Sequence, residues 1–473
     1  MGSRSRQRRG CAAGLLLLYY SVLMIVRQSD AFRDLRTVGD IRQLGGTPVG
    51  LDENGRQSNG TGGLVFALKR RDGHIRGHTA RGMLANGTLP LHGAVKDLGY
   101  FYAELKLGTP AKRFAVIVDT GSTMTYVPCS YCTPVDCGQN KMNPSFNPEA
   151  SSTFEQIKCR GDSRCQCGSP ACGCSKNKCS YTRYYAESST SAGHMVSDMM
   201  HLSDKEAVRV TFGCETKETG EIYHQAADGL MGLGSSDVSI PNQLAKSGAI
   251  EPVFSLCFGD MQGSGALMIG NVPLASELRI RHVPLVHNSR HPHYYNINLH
   301  ALSIGPDKLK VPENEWTKGY GTVLDSGTTF SYIPREAFSA LKSAVSKHAA
   351  LKGLNKVPGP DPKYVDECWG GAPENPNELP RVFPSMTLHL DEGFDLELLP
   401  INYLFIHTHR PGAYCLGLFD NGSSGTLLGG ITFRNVLVQY DKREGKNRVG
   451  LAHAPCKLLG SAVHQLHHLP LIV

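Results

Sequence analysis

Two short stretches of this chain, roughly two hundred residues apart, carry the same order of side chains: Asp119-Thr120-Gly121-Ser122 and Asp325-Ser326-Gly327-Thr328. In each, a carboxylate is followed by a hydroxyl, a glycine and a second hydroxyl. Gly121 and Gly327 allow a tight turn that brings backbone N–H groups to the carboxylate, and Ser122 and Thr328 offer hydroxyl donors to its outer oxygens. If the two turns face each other, two carboxyls about 3 Å apart cannot both ionise and must share a proton. One can then take a proton from water while the other gives one to a carbonyl.

Such groups need rigid supports. Phe114 to Val118 and Thr322 to Leu324 are short, apolar and rich in β-branched residues, as buried strands are, and each stops at its turn. An isolated Asp-Thr-Gly would be an ordinary Asx-turn after a strand. Here the surroundings repeat as well. Gly229-Leu230-Met231-Gly232-Leu233-Gly234 follows the first turn much as Thr426-Leu427-Leu428-Gly429-Gly430 follows the second.

With these pairs in order, residues 98 to 456 resemble the pepsin-like aspartic endopeptidases. Tyr102 to Pro110, Ala227 to Gly234, Phe433-Arg434-Asn435, Gln439-Tyr440-Asp441 and Val449 to Ala452 carry the likeness. It implies an all-β fold of two lobes related by a pseudo-two-fold axis, with Asp119 and Asp325 as the catalytic pair in the cleft. Thr120, Gly121, Ser122, Ser326, Gly327 and Thr328 would support that dyad. Tyr184 to Ser189, followed by Ser191-Ala192-Gly193, resembles the hairpin that closes over the substrate, with Tyr185 as the flap tyrosine. Two departures stand out: Ala186 and Ser188 occupy positions where the family usually has glycine, and Tyr126 replaces the tryptophan that braces the flap.

Cysteine narrows the relative. Nine cysteines between Cys129 and Cys179 resemble the cysteine-rich insertion of the plant nepenthesin and nucellin-type branch. Of the 15 cysteines Cys11 lies in the leader, leaving an even set for an oxidising compartment. Each lobe holds an odd number, so full pairing requires a bridge between lobes, with Cys456 joining Cys257 or Cys214. By resemblance, Cys368 and Cys415 would close a loop of the second lobe. Cys129-x-x-Cys132 has zinc-ligand spacing, but Cys165-x-Cys167 and Cys172-x-Cys174 are too tight for a regular all-cysteine site, so no metal is expected.

Four arginines precede the apolar run Ala12 to Val26, and Ser29-Asp30-Ala31 has signal-peptidase spacing. Residues 1–31 therefore read as a cleaved signal; an uncleaved anchor is the alternative, the run being only slightly short of the ~17 residues a bilayer needs. Residues 32–92, with Lys69-Arg70-Arg71 as a cut site, read as a propeptide. The chain carries a formal charge of +7, yet residues 93–473 hold 35 Lys and Arg against 36 Asp and Glu. The mature body thus has no nucleic-acid footprint. Residues 93–285 read as the first lobe with its insertion at 129–179, residues 286–456 as the second, and 457–473 as a tail. His464, His467 and His468 in that tail read as part of a flexible extension rather than a metal site. Asn59, Asn86 and Asn421 head glycosylation sequons, and Arg160-Gly161-Asp162 reads as a turn.

Gly and Pro punctuate the body at short intervals between strand-like runs such as Val208 to Phe212 and Ser385 to Leu390, the rhythm of an all-β fold. One helix is expected from Arg335 to Val345, packing Phe338, Leu341 and Val345 inward. The sequence therefore predicts a monomeric, cofactor-free aspartic endopeptidase of the secretory pathway, extracellular or vacuolar, made as a zymogen and acting on proteins or peptides at acidic pH. A silent binding or inhibitor protein on the same fold is the alternative. A glycosidase would also use two acids, but leaves the duplicated turns unexplained.

Overall fold

The computed structural model describes residues 87–459, apart from 95–98, 169–170, 187, 275–276 and 363–364. The leader, Lys69-Arg70-Arg71, Asn59, Asn86 and the tail histidines lie outside the described residues. Among those described, no helix is long and apolar enough to cross a membrane.

The first lobe opens with strands β1 (Gly87–His92), β2 (Tyr102–Leu107) and β3 (Lys112–Asp119). Every residue of β3 from Phe114 onward is buried. Strands covered on both faces read as unbroken apolar runs, which is why this one was legible. Then come β4 (Tyr126–Pro128), β5 (Lys178–Tyr184), β6 (Thr190–His201), β7 (Ala207–Thr219) and β8 (Gly229–Gly232). In the second lobe, β9 (Thr322–Leu324) and β10 (Ser331–Ile333) precede β11 (Leu418–Asp420) and β12 (Thr426–Leu428).

The pairings repeat. In the first lobe β3 runs parallel to β8, β8 antiparallel to β4, and β4 parallel to β7. In the second, β9 runs parallel to β12, β12 antiparallel to β10, and β10 parallel to β11. Each aspartate therefore lies at the C-terminal end of the first strand of the same four-strand pattern. The lobes share a floor, because Val253–Phe258 pairs with Val436–Asp441 in one sheet of 15 strands. Beneath the dyad, Phe254 stacks on Tyr440 at 4.5 Å, and Tyr295 meets Tyr440 at the same distance.

Cys257 is bonded to Cys456 and Cys368 to Cys415. Cys214 pairs with Cys129, and the insertion holds Cys132–Cys137, Cys159–Cys174, Cys165–Cys179 and Cys167–Cys172. The sulfurs of Cys165, Cys172 and Cys179 cluster, but all three are disulfide-bonded, so none is offered as a thiolate ligand.

Two elements differ from expectation. The helix runs from Arg335 to Leu351, with Ala337, Leu341, Val345 and Ala349 buried, because helix-forming residues continue past Val345 until Gly353. Residues Gly87–His92, read as the end of a propeptide, form β1, a strand between Gly265–Ile269 and β2. Its inward Leu91 is masked in sequence by flanking Gly and Pro.

Candidate active site

Asp119 is the last residue of β3 and Asp325 follows β9. The apolar-apolar-glycine segments hold their backbones, Leu233 N–H donating to Asp119 O (2.8 Å) and Asp325 N–H to Leu428 O (3.0 Å). Each carboxylate also accepts from its own turn: Gly121 N–H to Asp119 Oδ1 (2.8 Å) and Gly327 N–H to Asp325 Oδ1 (3.0 Å).

The turns interlock through their hydroxyls. Thr120 Oγ1 donates to Leu324 O and accepts from Ser326 N–H, both at 2.9 Å. Reciprocally, Ser326 Oγ donates to Val118 O (2.8 Å) and accepts from Thr120 N–H (2.9 Å). Glycine is needed because of close approach rather than backbone conformation: a Cβ on Gly327 would lie 2.2 Å from Asp119 Oδ1, and one on Gly121 would lie 2.6 Å from Asp325 Oδ1. Each glycine thus lets the opposite carboxyl in.

The outer hydroxyls lie beside their own carboxylates with different geometry. Thr328 Oγ1 donates to Asp325 Oδ2 (2.8 Å), whereas Ser122 Oγ is buried without meeting hydrogen-bond geometry. Ser122 still lies close enough to favour the ionised form of Asp119. The two carboxyls lie within hydrogen-bonding reach of each other. Burial raises the pKa of both, and the charge of Asp325 raises that of Asp119 further, so the pair holds one proton well into the range where free carboxyls have lost theirs.

Tyr185 lies just beyond β5, in the turn to β6, where Tyr185 N–H bonds Ser189 O (3.0 Å) and Ser188 N–H bonds Tyr185 O (3.0 Å). Ser188 has φ +70°, the left-handed region that the family's usual glycine would adopt without cost. Tyr126 is fully buried and hydrogen-bonded to Tyr185. Tyr294 lies close enough to both carboxylates to feel their charge, and Tyr320 feels Asp325. Their rings meet edge to face at 6.3 Å. Sequence reasoning did not single out either tyrosine; the doubled Tyr294-Tyr295 was the available signal.

Asn421 is committed elsewhere. Its Nδ2 donates to Tyr320 Oη (2.5 Å) and Gly425 O (2.8 Å), so a glycan, which replaces one of the two hydrogens on that nitrogen, would remove one of these bonds. Asp162 of the Arg-Gly-Asp turn is gripped by Arg164 at 2.9 Å.

Two family models match this arrangement lobe by lobe: xylanase inhibitor N-terminal over residues 101–271 and xylanase inhibitor C-terminal over 294–451. Aspartic proteinase 36 of Arabidopsis thaliana is 31% identical over 385 residues, covering 76% of this chain and 75% of that protein. The chain belongs to the pepsin-like aspartic protease family. Within that family, nepenthesin-1 of Nepenthes gracilis is 30% identical over 365 residues, covering 76% of this chain and 78% of its own. The pepsin-like fold is shared with the crystal structure of basic 7S globulin from soybean (TM-score 0.60, 21% identity, 80% of this chain and 97% of that one). It is shared too with that of edgp (TM-score 0.61, 19% identity, 80% and 96%).

Proposed function

We propose that this chain is an active aspartic endopeptidase, made as a zymogen in the secretory pathway and working at acidic pH. The observation that carries the reading is the pair of interlocked turns presenting two buried carboxyls within reach of each other. Water held between Asp119 and Asp325 would lose a proton to the ionised carboxylate as its oxygen attacks the scissile carbonyl carbon, while the protonated carboxyl donates to the carbonyl oxygen. Return of a proton to the amide nitrogen then releases the amine. Tyr185, braced by Tyr126, would cover the substrate and exclude water, and Tyr294 and Tyr320 would form the facing wall. The preference for bulky apolar residues at the cut rests on the family resemblance alone. Seven disulfides suit an oxidising compartment, extracellular or vacuolar.

The test is to express residues from Phe32 onward under oxidising conditions and follow cleavage of a denatured protein between about pH 3 and 7, with pepstatin and Asp119→Asn as controls. A bell-shaped, pepstatin-sensitive profile absent from the variant supports the proposal. A folded, processed sample without turnover would favour a binding protein, the second reading, which the xylanase-inhibitor descriptions of the matching family models keep in view.

A further inference from the structure

Behind the flap lies a second pair of buried acids. Glu215 is 0% exposed and Glu218 4%. Both sit on β7, three residues apart, where simple alternation would send them to opposite faces. The register of β6 against β7 steps from Ala192↔Lys217 to Gly193↔Glu215, leaving Thr216 as an extra residue. That bulge reverses the alternation and turns both carboxyls to the face that Gly213 shares with Tyr126 and Tyr181. Gly193 makes room for it, since a Cβ there would lie 2.8 Å from Glu215 Cα.

The partners are few for two acids. Tyr181 Oη lies 3.1 Å from Ser191 Oγ, which donates to Glu215 Oε1 at 2.5 Å. Glu215 Oε2 is buried with no hydrogen-bond partner. Glu218 faces Lys141 Nζ at 2.9 Å, the ammonium also reaching Ile222 O. One ammonium beside two buried carboxyls leaves one of them to be neutral, because an unpartnered buried carboxylate oxygen is costly to charge. Glu215, without a cation of its own, is the one that keeps the proton. Burial, and then the neighbouring Glu218, push its pKa well up, while Ser191 and Lys141 oppose this; burial also raises Glu218 against the pull of Lys141.

Tyr126 feels both glutamates and is bonded to Tyr185, and Tyr181 feels the same groups. The other charged groups around this space are Arg183, in register with Ser191 on β6, and Glu221 with His224 on the turn after β7. Asp228 also feels Lys141, and Asp136 lies at the surface of the short helix Pro134–Cys137 packed on β7.

We propose that Glu215 and Glu218 are a proton-holding pair that positions the flap: with a proton on Glu215 beside the Lys141-paired Glu218 the Tyr126–Tyr185 brace stays in place, and loss of that proton releases it. The pair acts through the tyrosines and touches no substrate. The inference rests on the peptidase reading for its effect on substrate binding, where KM rises as the proton is lost while the limbs of kcat remain those of Asp119 and Asp325.

Two measurements test it. With active enzyme, Glu215→Gln, which keeps the Ser191 bond but cannot ionise, should remove the alkaline rise in KM and leave the kcat limbs in place. Independently of turnover, an Asp119→Asn chain labelled with 3-fluorotyrosine gives a Tyr185 fluorine resonance, assigned by its loss in Tyr185→Phe. That resonance should titrate with the pair, cease to titrate in Glu215→Gln, and titrate at least about one pH unit higher in Lys141→Met, where the opposing cation is gone. A Tyr185 resonance that does not titrate, or titrates identically in Glu215→Gln and Lys141→Met, overturns the proposal. Absence of turnover beside an intact Tyr185 titration would sink the peptidase reading and leave the positioning pair standing.

Discussion

Thr120 gives the most direct test of how the two halves of the dyad are held. Thr120→Val keeps the side-chain shape but removes Oγ1, leaving the Leu324 carbonyl and the Ser326 N–H without their partners. Thr120 is fully buried, so water cannot replace either bond. Each stranded backbone group costs about 1–3 kcal/mol, which puts the loss at roughly 2–6 kcal/mol, a large share of the ~5–15 kcal/mol that holds a typical domain together. Thr120→Ser keeps both bonds and loses one buried methyl, worth about 1 kcal/mol. Urea unfolding at fixed pH, performed on the inactive Asp119→Asn background to prevent self-cleavage, gives both numbers. Ser326→Val in the same background should cost a similar amount, because it strands Val118 O and Thr120 N–H. The double variant should cost less than the sum, since a junction already loosened on one side has less order to lose on the other. Thr120→Val as stable as Thr120→Ser would refute the argument, because the hydroxyl bonds would then contribute nothing.

Asp119→Asn and Asp325→Asn should each lower kcat by at least about a hundredfold while the chain stays folded, as measured by peptide cleavage alongside circular dichroism. Ser188→Gly should stabilise the flap turn by about 1 kcal/mol, because glycine takes the left-handed backbone without the side-chain clash; slower amide exchange at Tyr185 and Ser189 would report it, and faster exchange would count against it. Stability should fall as pH rises. Asp119, Asp325, Glu215 and Glu218 all have raised pKa values, and burial, with Asp361 nearby, takes Asp366 up to about 6. A carboxyl of this kind binds its proton more tightly in the folded state, so its contribution is complete below about pH 4 and disappears as pH climbs through the folded value. Asp441 works the other way: burial opposes its ionisation, but Arg443 and Arg448 outweigh it and hold it down at about 2, so its contribution is lost only in strong acid. Thermal midpoints should therefore decline between about pH 4 and 6; a steady rise across that interval would show the signs to be wrong.

The meeting of the two aspartate turns was legible because each turn is built from a few neighbouring residues. Asp119 and Asp325 each follow an apolar β-branched strand and precede a glycine that must lie against the opposite carboxyl, so residue type and order carry the site. The apolar-apolar-glycine partners were legible for the same reason, being buried parallel neighbours of those strands. Tyr294 and Tyr320 were not, since only folding places their rings near Asp325.

What the sequence alone determined is therefore the family and the all-β two-lobed fold, because each depends on patterns spanning a few neighbouring residues. The tertiary structure decided how the halves engage. That Thr120 and Ser326 exchange two bonds while each also donates to the strand end before the opposite aspartate, and that Cys257 rather than Cys214 meets Cys456, depend on distances between remote segments. The same holds for Glu215 and Glu218: a one-residue bulge against Gly193 places both on one face, and strand alternation read from the sequence assigns them to two.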